Sequence, residues 1–555
     1  MNETFVGDYS MTNSAQDSDY EEMCSNHHLE IPEYYNFGFD VIEKRAREND
    51  KTAFIYISRD RELVEHHKFS DLNKSSNRFA NVLLGLGIRH GDFAFVMIPR
   101  VPAWYQIMIG CIKTGVVAMP GTNLLTPKDI EYRINKSEAK LAIVTSDALS
   151  KIEEIKDKCP SLQHLIVVGE NHDGWVEYNE ACALASDVLN REDLYRTRAE
   201  DDMLVYFTSG TTAFPKMVPR DHGYALAHDI TGRYWMGLNE NDIHWTLSDT
   251  GWAKAAWGML FPPWLFGATI ILYDADLRFD AETHLELIKQ FGVTTFCAPP
   301  TVYRVFAQTD LNKYDLSSIN HSISAGEPLN PEVMRVWKDA TGTEIYDGYG
   351  QTETINIVAN FPGQELRPGS MGRPVPGLTV EIIDESGNVL DDNEVGHIAV
   401  KLNEPHPPGL FTGYYNDPEA NKECFRNDWY YTGDTATRDP DGYIWFVGRS
   451  DDIISSAGYR ISPFEVESVL QEHSAIAESA VVAKPDKIRG SIVKAFVVLA
   501  PGNVATSQLE KEIQDFVKEQ TAPYKYPREI EFRKTLPKTI SGKIRRVELR
   551  AELKV

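Results

Sequence analysis

Tyr206-Phe-Thr-Ser-Gly-Thr-Thr-Ala-Phe-Pro-Lys216 is the stretch on which the reading of this 555-residue chain turns. Thr208, Ser209, Thr211 and Thr212 surround Gly210. Small hydroxyl residues around a glycine let backbone N–H groups and hydroxyls converge on phosphate oxygens. Lys216 adds a positive charge at the end of the segment. The apolar triplet Met203-Leu204-Val205 before it reads as a turn. The pattern differs from the GxxxxGK[ST] phosphate loop. Taken alone, an ordinary polar loop is the competing reading.

Outward from this segment the chain alternates between helical and strand-like runs. Leu72, Phe79, Val82, Leu83 and Leu86 recur at helical spacing, and Phe93 to Ile98 follows as a short apolar run. Further strand candidates are 141–145, 165–168, 269–273 and 294–297. This order predicts an α/β fold of layered subdomains with largely parallel sheets. Past residue 370 short alternating runs such as 379–383 and 397–400 are separated by Gly, Asp and Asn, predicting a β-rich subdomain over about 370–445. Beyond Arg449 the pattern is that of a separate small α+β domain, with helices at 463–471 and 507–520 and strands at 479–483 and 495–499. The expected division is a flexible N-terminal segment (1–30), a large domain (31–449) and a small C-terminal domain (450–555).

With 56 basic and 82 acidic residues the formal net charge is −26, which disfavours nucleic acid as a partner. Anionic substrates must then meet local basic sites. Cysteines 24, 111, 159, 182, 297 and 424 form neither a CxxC pair nor a zinc spacing, consistent with free thiols in a reducing compartment. The N-terminus is acidic and polar, without the basic and apolar regions of a signal peptide or the Arg-rich face of a transit peptide, so the expected location is cytoplasmic. The most apolar stretch, 101–120, carries Gln106 and Lys113 and reads as a buried helix and strand, so no integral membrane segment is expected.

The 206–216 segment resembles the nucleotide loop of the acyl-adenylate-forming, or AMP-binding, superfamily, which includes acyl-CoA synthetases, luciferases and peptide-synthetase adenylation domains. The usual pattern has glycine where this chain has Ala213; if that position needs φ > 0, alanine costs roughly 1 kcal/mol. Four further segments match in the same order. Tyr346-Asp-Gly-Tyr-Gly-Gln-Thr-Glu353 resembles the core motif, preceded by Ser324-Ala-Gly-Glu-Pro328, the turn lining the adenine and acyl sites. Tyr431-Thr-Gly-Asp434 places a carboxylate for the ribose hydroxyls. Gly448-Arg-Ser-Asp-Asp452 resembles the inter-domain hinge, followed by Ser456-Ala-Gly-Tyr-Arg460. Leu536-Pro-Lys-Thr-Ile-Ser-Gly-Lys543-Ile-Arg-Arg546 resembles the C-terminal lysine loop. The subgroup most resembled is the medium-chain acyl-CoA synthetases, through Ser248-Asp-Thr-Gly-Trp252 and Thr521-Ala-Pro-Tyr-Lys-Tyr-Pro527.

The resemblance implies an AMP-forming acyl-CoA synthetase using ATP, Mg²⁺ and coenzyme A on a small carboxylic acid. Thr208 to Thr212 and Lys216 would contact the phosphates. Gly326, Glu327, Pro328, Asp347, Gly348, Tyr349, Gln351, Thr352, Asp434 and Arg449 would complete the nucleotide contacts. Glu353, with Thr208, would hold Mg²⁺, a hard ion that prefers oxygen ligands. Lys543 would stabilise adenylate formation, Asp451 would serve as hinge, and Gly458, Tyr459 and Arg460 would meet CoA. Trp235, Trp245, Trp252, Trp257 and Trp264 crowd one region; core packing explains most of them, and Trp252, Trp235, Trp257, Lys254 and Cys297 are acyl-pocket candidates. Acetate-restricted synthetases carry tryptophan immediately before Gln-Thr-Glu, whereas this chain has Gly350, which implies an open pocket floor and acids of about four to eight carbons, including branched ones. A stand-alone enzyme loading a carrier protein, and a non-catalytic nucleotide sensor, are the rival readings. A homodimer is among the expected assemblies.

Overall fold

The computed structural model describes residues 20–208, 215–275, 279–327, 329–450, 452–456, 459–486, 489–522, 524–539 and 543–553. The chain divides into two compact units: 1–368 with 374–378 and 403–421, and 369–373 with 379–402 and 422–555.

The first unit contains two twisted, mostly parallel sheets. Sheet A runs in the order Val176–Glu177, His164–Val168, Leu141–Thr145, Phe93–Met97, Val117–Pro120, Asp202–Thr208 and Lys216–Asp221. All neighbours are parallel except the last pair, an antiparallel hairpin. Met203, Leu204 and Val205 are therefore strand and not a turn; all are fully buried in the middle of Asp202–Thr208. A strand covered on both faces has a continuous apolar run with no alternation, and three residues of it carry no period to read. Sheet B passes through Asn356–Ala359, Ile345–Gly350, His321–Ala325, Thr295–Cys297, Ile243–Thr246, Thr269–Tyr273, Thr52–Ile57 and Val64–Lys68. Its interior pairs are parallel, so the segments after residues 246, 297, 325 and 350 emerge at one carboxyl edge, where open α/β sheets bind ligands.

Between the sheet strands, helices start and stop where local chemistry dictates. Asn330 Oδ1 accepts the Glu332 N–H at 2.7 Å, and Gly342 ends Pro331–Thr341 in the left-handed conformation. The 101–120 stretch is the expected buried helix, Pro102–Thr114, and strand, Val117–Pro120. No described helix is long and apolar enough to cross a membrane. Lys113 on this helix is fully buried, its amine donating to Asn73 Oδ1 and Asn77 Oδ1 at 2.6 Å each. Burial, opposed by Glu43, pushes it down to about 7. Between that value and the unfolded value of about 10.4 the unfolded chain binds the extra proton, so stability rises with pH across this window. Below about pH 7 the folded protein bears the full cost of a buried ammonium. Lys113→Met is expected to flatten the rise between pH 7 and 9.5 by about 3 kcal/mol in denaturant titrations. A slope equal to the parent's would show that the amine stays charged in the fold.

The second unit contains an antiparallel sheet in the order Val380–Ile383, Gly396–Lys401, Trp429–Arg438 and Phe425–Arg426, with Ile444–Arg449 also on Trp429–Arg438. Its C-terminal part pairs Ile476–Asp486 antiparallel and Glu529–Arg533 parallel with Gly490–Leu499. Helices Pro463–Glu472 and Ser507–Gln520 cover that sheet through Val466, Leu470, Ile513 and Val517.

Candidate active site

The hairpin at the edge of sheet A positions the phosphate loop. Thr208, the last residue of one strand, lies opposite Lys216, the first of the next. The loop ends are thus held together by ladder hydrogen bonds. Ser209, Gly210, Thr211, Thr212 and Ala213 lie outside the described residues. The Lys216 amine sits 4.6 Å from the Tyr414 ring centroid, and the Tyr414 hydroxyl donates to Glu353 Oε1 at 2.8 Å. The phosphate-loop lysine and the candidate metal carboxylate therefore share one tyrosine. Glu353 is buried, and its carbonyl accepts from Arg220 Nη1 at 2.7 Å and Phe411 N at 2.8 Å. Arg220 is itself buried, its guanidinium 3.9 Å over Tyr224.

At the carboxyl edge of sheet B, Asp347 and Gly348 lie on Ile345–Gly350 beside Ser324 and Ala325 of the neighbouring strand. Tyr349, Gln351 and Thr352 follow, half-buried, and the Gln351 N–H donates to Thr354 Oγ1 at 2.9 Å. Gly326 has φ +108°, and the half-buried Glu327 pairs with Arg304 at 3.3 Å; Pro328 lies outside the described residues. Burial drives the Asp347 carboxyl up to about 8, against the Gly348 N–H and the nearby Lys254 charge. Asp347 Oδ1, Ser324 Oγ and Asn356 Nδ2 are buried without a protein partner among the described residues. Three unsatisfied polar atoms on adjacent strands at one edge suit a polar ligand.

A candidate acyl pocket adjoins this edge. Trp235 donates from Nε1 to Tyr346 O at 3.1 Å, and its rings lie 5.3 Å from those of Trp257. The Lys254 amine stands 5.5 Å from the Trp257 ring and donates to Ala325 O at 3.0 Å. Cys297 ends its strand fully buried; burial raises its thiol, with Lys254 opposing. Trp252 immediately precedes the helix Ala253–Met259 that carries Lys254 and Trp257. Trp245 and Trp264 belong to the buried core, Trp245 stacked on His284. Gly350 has a different surrounding from an open floor. A Cβ there would stand 2.4 Å from Ile355 O and 3.0 Å from Asn356 Cα, where the antiparallel register shifts. The glycine admits a close backbone approach.

In the second unit Asp434 is buried on Trp429–Arg438 and pairs across the ladder with Arg449, whose Nε lies 3.6 Å from Asp434 Oδ1. Lys543 is exposed; its N–H donates to Thr539 Oγ1 at 3.1 Å and its carbonyl accepts from Thr539 N at 2.7 Å. Tyr459 is 51% exposed and stacks on Tyr524 with centroids 4.2 Å apart. Asp451 and Gly458 lie outside the described residues, as does the side chain of Arg460.

Tyr414 and Arg220 are the site residues that sequence reasoning missed. Tyr414 meets Glu353 across 61 residues of chain, and Gly413-Tyr-Tyr415 has no charge pattern that would announce it. Arg220 next to a proline inside an apolar strand was the readable signal, since a buried guanidinium must have partners.

Residues 42–415 match the family described as AMP-binding enzyme, and residues 465–543 its C-terminal domain. The chain belongs to the AMP-binding enzyme family. It is 45% identical over 545 residues to the acyl-coenzyme A synthetase ACSM3, mitochondrial, of Rattus norvegicus, covering 96% of this chain and 93% of that one. It is 44% identical over 531 residues to the human acyl-coenzyme A synthetase ACSM4, mitochondrial, with 94% and 91% covered. Among solved structures, an anthranilate CoA ligase, AuaEII, in complex with anthranoyl-AMP superposes with TM-score 0.86 at 33% identity over 94% of this chain and 98% of that one. A benzoate CoA ligase from Burkholderia xenovorans LB400 superposes with TM-score 0.81 at 29% identity over 93% and 100%.

Proposed function

We propose that this protein is an AMP-forming acyl-CoA synthetase, an acid–thiol ligase acting on short- to medium-chain carboxylic acids, branched ones included. The observation that carries the reading is the linkage of Lys216, Tyr414 and Glu353 beside the Thr208–Lys216 hairpin. It sets a cation and a buried carboxylate next to a phosphate-type loop. In the first half-reaction a substrate carboxylate oxygen attacks the α-phosphorus of ATP and pyrophosphate leaves. A carboxylate is already nucleophilic at pH 7, so the protein's task is positioning and charge stabilisation. Lys216, Lys543 and the loop donors from Thr208 onward serve that task. The Glu353 carboxylate and Thr208 hydroxyl, both oxygen donors of the kind Mg²⁺ prefers, would hold that ion. That ion would neutralise phosphate charge. Asp434 accepts both hydroxyls of the ribose, and Arg449 orients it.

In the second half-reaction the CoA sulfur attacks the acyl carbonyl and AMP leaves. Gly458, Tyr459 and Arg460 serve this step, with Asp451 as the pivot that exchanges them for Lys543. Trp235, Trp257, Trp252, Lys254 and Cys297 bound the acyl chain. Each buried methylene contributes about 0.8 kcal/mol, so acids of about four to eight carbons should exceed acetate by tens-fold or more in kcat/KM. The test is acid-dependent pyrophosphate release and CoA-dependent AMP formation with straight, branched and aromatic acids. Absence of acid-dependent pyrophosphate release, or acyl transfer only to a phosphopantetheinylated carrier, would overturn the proposal.

The free cysteines, without disulfide-type spacing, fit a reducing compartment, which includes both the cytosol and the mitochondrial matrix. The relatives' names say mitochondrial, and fractionation of the host cell against compartment markers separates the two. A homodimer would sediment at twice 62.7 kDa.

A further inference from the structure

Three residues past Lys543 begins the helix Arg546–Ala551, which carries Arg546 and Arg550 one turn apart. Arg546 makes a bidentate pair with Glu467, Nε to Oε1 at 3.1 Å and Nη2 to Oε2 at 2.5 Å. Glu467 is buried on Pro463–Glu472 and also accepts the Val481 N–H at 2.7 Å. Arg550 forms an ion pair with Asp452, and Arg546 Nη1 lies 3.8 Å from the same carboxylate. Between the two arginines, Leu549 is fully buried with Ala480, Val482, Phe496 and Leu536. On the other side of Lys543, Lys538 bridges Ile544, and Arg545 N donates to Pro537 O at 2.9 Å. Both feet of the Lys543 loop are thus anchored, and one anchor ends on the residue next to Asp451.

Leu549 and its neighbours already hold the helix against the sheet, and apolar contacts tolerate sliding and rotation. A bidentate arginine pair fixes direction as well as distance. Isolated exposed ion pairs contribute little, but here the two carboxylates are only 6% and 13% exposed and share one arginine. We propose that Arg546 and Arg550, through Glu467 and Asp452, are positioning residues that hold the Lys543 loop in the register that adenylate formation needs. The proposal rests on the role assigned to Lys543 above.

Arg550→Met is the test variant, because Asp452 then still faces Arg546. Arg546→Met strands Glu467 in the interior and is the variant at risk of not folding. Pyrophosphate exchange, thioester formation from supplied acyl-adenylate, and the unfolding midpoint are measured for Arg550→Met, Arg550→Lys and Lys543→Ala in parallel. Exchange should fall about tenfold in Arg550→Met, with KM for ATP within about twofold, as expected for a misplaced group rather than a lost contact. Thioester formation should stay within about twofold, and Arg550→Lys should recover part of the exchange rate. Equal losses in both half-reactions would mean a merely structural role and overturn the proposal. So would unchanged exchange in Arg550→Met while Lys543→Ala is impaired. If Lys543→Ala itself leaves exchange intact, the Lys543 reading fails and the positioning role falls with it.

Discussion

Replacing Lys543 by alanine should slow adenylate formation by roughly 10²–10⁴, the range for removing a preorganised charge donor from a transition state. Charge builds on the phosphate oxygens as the carboxylate attacks and pyrophosphate departs. An ammonium aimed there stabilises the transition state more than bound ATP, so the loss belongs in kcat and kcat/KM together. The side chain is exposed on a loop pinned by Thr539, so its removal leaves no cavity and no buried partner unpaired. Folding stability should change by less than about 0.5 kcal/mol. Thioester formation from supplied acyl-adenylate should remain within about twofold, because no phosphorus–oxygen bond is made or broken to the β-phosphate in that step. Equal losses in both half-reactions would remove the lysine from its assigned role.

Gly350→Trp should inactivate the enzyme in both half-reactions rather than shorten its preferred chain. The tryptophan Cβ would have to occupy space 2.4 Å from the Ile355 carbonyl oxygen, a backbone atom with no rotamer to change. The strand Asn356–Ala359 would be pushed away, at about 1–3 kcal/mol or more for overpacking. Gln351, Thr352 and Glu353 lie on the connection from Ile345–Gly350 to the displaced strand. A shift of about 1 Å in such groups can cost on the order of 10² in rate. Gly350→Ala separates the readings, since it adds the clash without the indole. It should lose most of the activity while keeping the parent's order of preference among acids. A folded, active Gly350→Trp that prefers acetate would restore Gly350 to the pocket floor.

The same residue marks where the reading of a sequence stops. Tyr349-Gly-Gln351 locates the motif, but nothing in it says which way a Cβ at 350 would aim. That direction depends on the register irregularity with a strand formed by residues 356–359. The expected strands 141–145 and 269–273 and the helix 507–520 coincide with the observed elements. Each has an apolar pattern long enough to carry a period, or a polar break on both sides. Met203–Val205 had neither, and its strand became visible only when Val117–Pro120 and Lys216–Asp221 closed around it.

From the sequence by itself came the family, the α/β class and the ordered motifs, because hydrophobic periodicity and short functional segments are local properties. Lys216, Glu353, Asp434 and Lys543 were nameable for that reason. Only the tertiary structure decided that Tyr414 joins Lys216 to Glu353, that Lys254 lies against Trp257 and Ala325, and that Glu467 and Asp452 anchor the helix after Lys543. Apart from Lys254 and Trp257, neighbours on one helix, these contacts join residues 61 to 198 apart in the chain, the Asp452–Arg550 pair being 98 apart and the Glu467–Arg546 pair 79. A side chain chosen for such a partner has no neighbour in sequence that records the choice. The pairing exists only once separate strands and helices are packed against one another and the buried polar groups are required to satisfy each other.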